Sequence, residues 1–156
     1  MSLAASCPRC TEPFRSGATG ECAGHGRQPT LLRAGHASYD LFAEHLRAAD
    51  GFPTYLPWPM GSGWRVTDFG VVVDGDRSVA TVTCCSGATP LEGRVDVLVV
   101  AEEAGVGLGA RCAGLPTTDP GEGFGLGPPS VRVRIDSQGV PLWPVSTAGV
   151  DGELDR

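Results

Sequence analysis

Residues 65–85 read RVTDFGVVVDGDRSVATVTCC, a pattern typical of a β-hairpin. Apolar and β-branched residues recur with a period near two on both sides of a short polar segment. The Asp74-Gly75 pair within that segment favours a tight turn, because glycine adopts the positive φ that short hairpin turns require. The sequence therefore predicts two antiparallel strands, Arg65–Val73 and Ser78–Cys85, joined by the turn Asp74–Arg77.

A third apolar run, Arg94–Ala101, contains four valines and a leucine. We expect it to form the central, most buried strand, since strands buried on both faces read as near-continuous apolar runs. Two shorter strands are predicted at Val131–Ile135 and Val140–Val145, with Ser137–Gly139 as their turn. With 23 glycines and 13 prolines, the composition favours loops and short strands over long helices.

One segment, His36–Gly51, has the pattern of an amphipathic helix. Its apolar residues recur at intervals of three and four, which places them on one face: Tyr39, Phe42, Leu46 and Ala49. Ser38 is expected to cap the N-terminus, and Gly51 to end the helix. His36 and His45 have no ligand partner at a suitable spacing, so both are predicted to lie at the surface or its rim.

The N-terminal segment carries two pairs of metal-binding residue types. Cys7 and Cys10 are separated by two residues, and Cys22 and His25 repeat that spacing after an eleven-residue gap. Each pair offers two ligands to one side of a tight turn, and the loop between them can fold back to surround a tetrahedral Zn²⁺. The pattern predicts a zinc site; iron, an empty site, or cysteines packed as small apolar residues are the alternatives.

The predicted zinc is structural, because four protein ligands leave no position for water or substrate. The remaining thiols, Cys84, Cys85 and Cys112, are expected to lie outside the metal site. No histidine follows position 45, so these thiols lack a nearby base in sequence that would activate a nucleophile. The sequence predicts no catalytic residues.

Two further segments contain residue types that can bind ligands. Residues 52–64 hold three prolines and four aromatic residues, which predicts an extended loop packed by its rings more than a ligand platform. Gly105-x-Gly107-x-x-Ala110 matches a permissive dinucleotide fingerprint. Two glutamates precede it and no helix is expected after it, so a glycine-rich turn is favoured over nucleotide binding.

The formal net charge is −6, with twelve arginines and no lysine. Residues 1–35 carry four arginines and two glutamates, or +2, and the remainder carries −8. Four scattered arginines do not make a clustered basic face, so nucleic acid is not expected as a partner. The chain shows neither a signal peptide nor an apolar run of membrane-spanning length, which predicts a cytoplasmic protein without membrane association.

Three blocks in this order resemble an uncharacterised actinobacterial family of cytoplasmic proteins with an N-terminal zinc knuckle: the segment Cys7–Gly26, Tyr55–Trp64 and Val99–Arg111. The resemblance covers most of the chain. It implies a domain of unknown function in which the four ligands named above bind the metal, and it implies no catalytic residue. Relatives continue into more apolar sequence after Pro141–Val145, so this chain is expected to be shortened at its C-terminus.

The predicted architecture is an α+β protein. It comprises a zinc knuckle in residues 1–32, a domain in residues 33–145 with one amphipathic helix and a small, mostly antiparallel sheet, and a disordered tail in residues 146–156. The expected role is a non-catalytic zinc-binding protein that presents a surface to an unknown protein partner. For the C-terminal edge strand we expect either a homodimer or local disorder. The alternative function is an enzyme acting on a small acyl or phosphorylated substrate, with a pocket between residues 52–64 and Gly105–Gly109.

Overall fold

The structure is a computed structural model that describes residues 3–14, 20–90, 93–114, 131–135 and 137–142. Strands and short helices alternate with turns in these ranges, as the glycine and proline content predicts. The elements are β1 Ala4–Ser6, β2 Glu21–Cys22, β3 Gly26–Arg27, β4 Thr30–Arg33, α1 Tyr39–Ala49, β5 Arg65–Asp74, β6 Arg77–Thr89, β7 Gly93–Glu102, α2 Leu108–Cys112, β8 Val131–Ile135 and β9 Gln138–Leu142.

Five strands form one antiparallel sheet in the order β1-β4-β5-β6-β7. The predicted hairpin lies within it: β5 and β6 pair from Asp74 opposite Arg77 at the turn to Arg65 opposite Ser86. Gly75 has a φ of 62° in the turn, a conformation that glycine adopts without strain. The hairpin and the mostly antiparallel α+β fold are both confirmed.

The third predicted strand exists as β7, but it is not central. β7 pairs with β6 on one side, and no strand in the described ranges pairs with its other edge. Its apolar residues are half-buried, whereas Val71 and Val72 of β5 and Ala80 and Cys85 of β6 are fully buried. The prediction was wrong because a continuous apolar run indicates a strand without fixing its place in the strand order.

Helix α1 has the predicted cap, and its buried face agrees with the predicted stripe in part: Ala49 is buried and Phe42 packs against the core. The Ser38 hydroxyl accepts a hydrogen bond from the backbone N–H of Leu41 at 3.3 Å. Tyr39 and Leu46 of the predicted stripe are 88% and 48% exposed. The buried residues recur at every fourth position, a spacing that is equally helical: Leu41, His45 and Ala49.

His45 is fully buried, so its prediction as a surface residue was wrong. Its ring stacks on Phe42 with a centroid separation of 5.6 Å and lies 5.4 Å from the ring of Phe69 in β5. Nε2 lies 3.2 Å from Thr54 Oγ1, and Nδ1 has no hydrogen-bond partner among the described residues. A neutral imidazole can pack as an aromatic ring here, and burial lowers the pKa of His45. His36 is exposed, as predicted.

Successive residues of β6 face opposite sides of the sheet, which we call the α1 face and the α2 face. On the α1 face, the hydroxyl groups of Thr81 and Thr83 donate to the carbonyl oxygens of Pro53 and Tyr55, the second at 2.6 Å. We call residues 52–64 the aromatic–proline segment. Its residues 53–55 are therefore held along β6. The segment has no helix, as its prolines predicted.

The short helix α2 covers the α2 face of the sheet. The prediction that no helix follows Gly105 and Gly107 was therefore wrong. Gly107 is its N-cap, with a φ of 83°. A helix of five residues is too short to show the periodic pattern from which helices are predicted. The core that it completes contains six buried residues: Leu31, Val72, Val79, Ala80, Val106 and Leu108.

Strand pairing joins the N-terminal segment to the rest of the chain. β1 pairs with β4, and β4 pairs with β5. The expected boundary between residues 32 and 33 falls within β4, so the segments on either side of it share one sheet. β8 and β9 form a separate antiparallel hairpin. The predicted tail, residues 146–156, and the last residues of the predicted final strand lie outside the described residues.

Candidate metal centre

The structure brings the four predicted ligands together. Cys7 directly follows β1, and Cys10 lies in the turn after it. Cys22 ends β2, and His25 lies in the turn between β2 and β3. The three Sγ atoms and a ring nitrogen of His25 all lie within 4.8 Å of one another. Within the described ranges, no other group of three or more histidine, cysteine or acidic side chains is comparably close.

Three of the six separations between ligand atoms are close to those of a tetrahedral metal site. Cys10 Sγ lies 3.5 Å from Cys22 Sγ. His25 Nδ1 lies 3.5 Å from Cys22 Sγ and 3.8 Å from Cys7 Sγ. A regular tetrahedron with Zn–S bonds of about 2.3 Å and a Zn–N bond of about 2.0 Å has S–S edges of about 3.8 Å and S–N edges of about 3.5 Å. The ligand set is therefore arranged to enclose a small cation.

Backbone N–H groups converge on the first sulfur of each pair. The N–H groups two and three residues further along the chain donate to it: Arg9 and Cys10 to Cys7 Sγ, and Gly24 and His25 to Cys22 Sγ. Hydrogen bonds of this kind favour the thiolate, which is the form that binds a metal. Both turns are thus shaped around their first cysteine.

The pKa values of the two buried thiols move in opposite directions. Burial raises the pKa of Cys7 to about 11. Burial also opposes ionisation of Cys22, but hydrogen bonds from the His25 ring and from the Gly24 N–H outweigh it and lower the pKa to about 6. Cys22 is therefore the first of this pair to ionise, and a bound cation would supply the positive charge that the Cys7 thiolate needs.

Backbone hydrogen bonds hold the segments that carry the ligands. The Cys7 N–H donates to Glu12 O at 3.0 Å, and the Thr11 N–H donates to Cys7 O at 2.9 Å. On the other side, the Gln28 N–H donates to Gly20 O at 2.6 Å. Gly20 has a φ of 83°, and a Cβ there would lie 2.7 Å from Gln28 O, so only glycine fits this approach.

The loop also contacts the turn before α2. Arg9 Nη2 lies 3.4 Å from Gly105 O, in a hydrogen bond that links the first ligand turn to this segment. Arg111 of α2 lies close enough to interact electrostatically with Cys10 and Cys7. Burial lowers the pKa of Arg111 and the nearby Arg33 adds to this effect, whereas negative charge on Cys112, Cys10 or Cys7 would act in the opposite direction. A divalent cation with three thiolates leaves a net charge of about −1, which this guanidinium would offset.

The other three cysteines are free thiols outside the cluster, and burial raises the pKa of each: Cys84, Cys85 and Cys112. Cys84 and Cys112 line a cavity of about 20 Å³ together with Arg111 and the Arg33–Asp68 ion pair. That volume holds about one water molecule. A raised pKa makes these thiols poor nucleophiles at neutral pH.

The alternative pocket between the aromatic–proline segment and the glycine-rich turn is not formed by the described residues. Thr81 and Thr83 bind the first segment on the α1 face, whereas Val106 and Leu108 pack on the α2 face. The phosphate position of a dinucleotide fingerprint is also filled. A carboxylate oxygen of Glu102 accepts a hydrogen bond from the Leu108 N–H at 2.9 Å. This contact could not be predicted from the sequence, since no local rule links residues six apart in this way.

The fold and the site define an α+β protein with a cluster of three cysteines and one histidine able to hold a metal ion. The chain belongs to a family described as Family of unknown function (DUF6758), whose model matches residues 1–152. This membership agrees with the resemblance to a domain of unknown function. No curated protein and no solved structure matches the chain. No helix within the described ranges is long and apolar enough to cross a membrane.

Proposed function

We propose that Cys7, Cys10, Cys22 and His25 form a zinc knuckle with one structural Zn²⁺. The observation that carries the proposal is the match between the separations of the ligand atoms and the edges of a zinc tetrahedron. A tetrahedral set rich in sulfur also suits iron, which remains the competing metal. The ion joins the Cys7–Cys10 turn after β1 to the hairpin of β2 and β3. It has no catalytic role, since four protein ligands saturate it.

The test of this proposal is metal content. Protein purified in reducing buffer is expected to contain one zinc per chain, and Cys10→Ser is expected to lose it. The matched control is Cys112→Ser, which changes another half-buried cysteine outside the cluster and should keep the zinc. Elemental analysis also distinguishes zinc from iron. Full zinc content in Cys10→Ser would contradict the ligand assignment.

The wider role that we propose is a non-catalytic, cytoplasmic module that presents a surface to a protein partner. Tyr39 on α1 and Trp58 in the aromatic–proline segment support a contact surface, being 88% and 87% exposed. Aromatic residues are enriched at protein interfaces. The exclusive use of arginine as the basic residue supports an origin in a GC-rich actinobacterial genome. Tyr39→Ala and Trp58→Ala are expected to weaken partner capture without changing zinc content. Capture by both variants at the wild-type level would contradict this surface.

A second proposed contact is a homodimer through β9. Its outer edge has no pairing strand in the described ranges, and an unpaired edge is a template for another chain. The molar mass measured by light scattering should rise with protein concentration, and Val140→Lys should abolish the rise. A monomer at every concentration would contradict the dimer.

A further inference from the structure

A second cluster of charged residues lies at the end of the sheet away from the metal centre. The first metal ligand, Cys7, directly follows Ser6 of β1. Ser6 pairs with Leu31, Leu31 pairs with Val72, and Val72 pairs with Ala80 of β6, so these four residues form one row across the sheet. The second cluster is centred on Ser86, six residues further along β6. At about 3.3 Å per residue this is roughly 20 Å from that register position. The two sites are therefore separate.

Here two arginines flank a row of short side chains. Arg65 of β5 pairs with Ser86, and Arg94 of β7 pairs with Ala88. Ser86 and Ala88 alternate with Gly87 along β6, so paired residues place both arginines on one face of the sheet. Because Ser86 and Ala88 are small, the surface between the arginines is hollow. The cleft has a volume of about 210 Å³, and we call it the Arg65–Arg94 cleft.

The charges of this cleft are not balanced by its own lining. Six residues line it, two of them cationic and none acidic: Gly63, Arg65, Ser86, Gly87, Ala88 and Arg94. Arg33 and Arg77 each pair with a carboxylate, whereas within the described residues neither Arg65 nor Arg94 makes a hydrogen bond or an ion pair. By the same rule Asp96, which pairs with Ser86, lies on this face two residues from Arg94. It is not part of the lining, and within the described residues it forms no ion pair with either arginine. Both arginine residues are exposed.

We propose that the Arg65–Arg94 cleft binds the phosphate group of a small ligand, either inorganic phosphate or a small phosphate monoester. The planar guanidinium group matches phosphate geometry and can donate two hydrogen bonds at once. β5 and β7 flank β6 at about 10 Å from each other, a gap that two arginine side chains can close on one shared anion. The cleft is smaller than the roughly 300–1,000 Å³ of sites for drug-sized ligands, which restricts the ligand to a small molecule.

Ser86 provides a polar group at the base of this cleft. It is buried, and its Oγ lies 2.9 Å from Thr67 Oγ1, which in turn lies 3.4 Å from Cys84 O. A hydroxyl has one donor and two acceptor positions, so a chain of this kind orients its hydrogen atoms. The base of the cleft is thus a fixed polar surface, and binding there does not depend on the proposed zinc.

Titration with inorganic phosphate against chloride at constant ionic strength tests the site. Wild-type protein is expected to show saturable stabilisation in a thermal melt, and Arg65→Gln or Arg94→Gln should weaken phosphate binding by about tenfold or more. The matched control is Arg132→Gln, an exposed strand arginine in β8 that should bind like the wild type. Ala88→Glu, which places a carboxylate in the cleft, should abolish binding. Absence of saturation in the wild type, or equal binding by all four variants, would overturn the proposal.

A parallel titration with glycerol 3-phosphate distinguishes the two forms of the ligand. If wild-type protein binds both compounds and each glutamine variant loses both, the cleft accepts a monoester. Binding of phosphate alone restricts the ligand to the inorganic ion. Both results support the cleft as a phosphate site, whereas binding of glycerol 3-phosphate that both glutamine variants retain contradicts it.

Discussion

Glu102 of β7 holds the start of α2 through a hydrogen bond from the Leu108 N–H to its carboxylate at 2.9 Å. The first N–H groups of a helix have no partner within the helix, so this contact satisfies one of them and places a negative charge at the positive end. A Cβ on Gly109 would lie 2.7 Å from the other oxygen of Glu102. The glycine and the carboxylate are therefore coupled.

This coupling predicts a dependence between two substitutions. Glu102→Ala should cost about 0.5–2 kcal/mol of stability through loss of the cap. Gly109→Ala should gain little in the wild type, because the new methyl group displaces the carboxylate. In the Glu102→Ala background the same change should stabilise the helix by up to about 1 kcal/mol, the usual advantage of alanine over glycine. Urea unfolding of the four proteins measures the coupling, and additive effects would contradict the predicted contact.

The buried His45 predicts loss of stability in acid. Its pKa is lowered by burial in the folded state, so the unfolded chain binds a proton first as the pH falls. The contribution of His45 to the free energy of unfolding is constant above about pH 6.5, the pKa of histidine in an unfolded chain. Below that pH the free energy of unfolding falls by up to about 1.4 kcal/mol per pH unit. No charged group is among the ring and hydroxyl contacts of this imidazole, which come from Phe42, Phe69 and Thr54.

Unfolding curves at about pH 7.5 and about pH 5.5 compare His45→Gln with His36→Gln. The same substitution at exposed His36 should leave the acid sensitivity of the wild type unchanged, while His45→Gln should reduce it. Both variants keep the metal ligands, so any acid loss of metal is common to them. Equal pH dependence in the two variants would show that His45 does not titrate as described.

Alkylation is expected to distinguish the ligand cysteines from the buried Cys84 and Cys85. In zinc-loaded protein at neutral pH, iodoacetamide should label neither the ligand cysteines nor the buried Cys84 and Cys85. A chelator should expose Cys7, Cys10 and Cys22, since metal coordination protects them. Peptide mapping by mass spectrometry identifies the labelled sites. Labelling of the three ligand cysteines that does not change with chelator would contradict their role.

The features that the sequence predicted correctly are local ones. The Asp74–Arg77 turn and the spacing of the ligand pairs each depend on a few neighbouring residues, and backbone geometry alone constrains them. The edge position of β7 could not be predicted, because it depends on which strands pair at long range. The burial of His45 likewise depends on contacts outside its helix, because Phe69 lies in β5 and Thr54 lies in the segment after α1. The Arg65–Arg94 cleft requires the register of three strands.

X-ray absorption at the zinc edge tests the proposed metal centre most directly. We expect a first shell of three sulfur atoms at about 2.3 Å and one nitrogen at about 2.0 Å. In His25→Cys the nitrogen contribution should be replaced by a fourth sulfur, because the Nδ1 position lies within 3.8 Å of two ligand sulfurs. A first shell of the wild-type zinc that contains only nitrogen or oxygen, with no sulfur scattering, would contradict a zinc site built from Cys7, Cys10, Cys22 and His25.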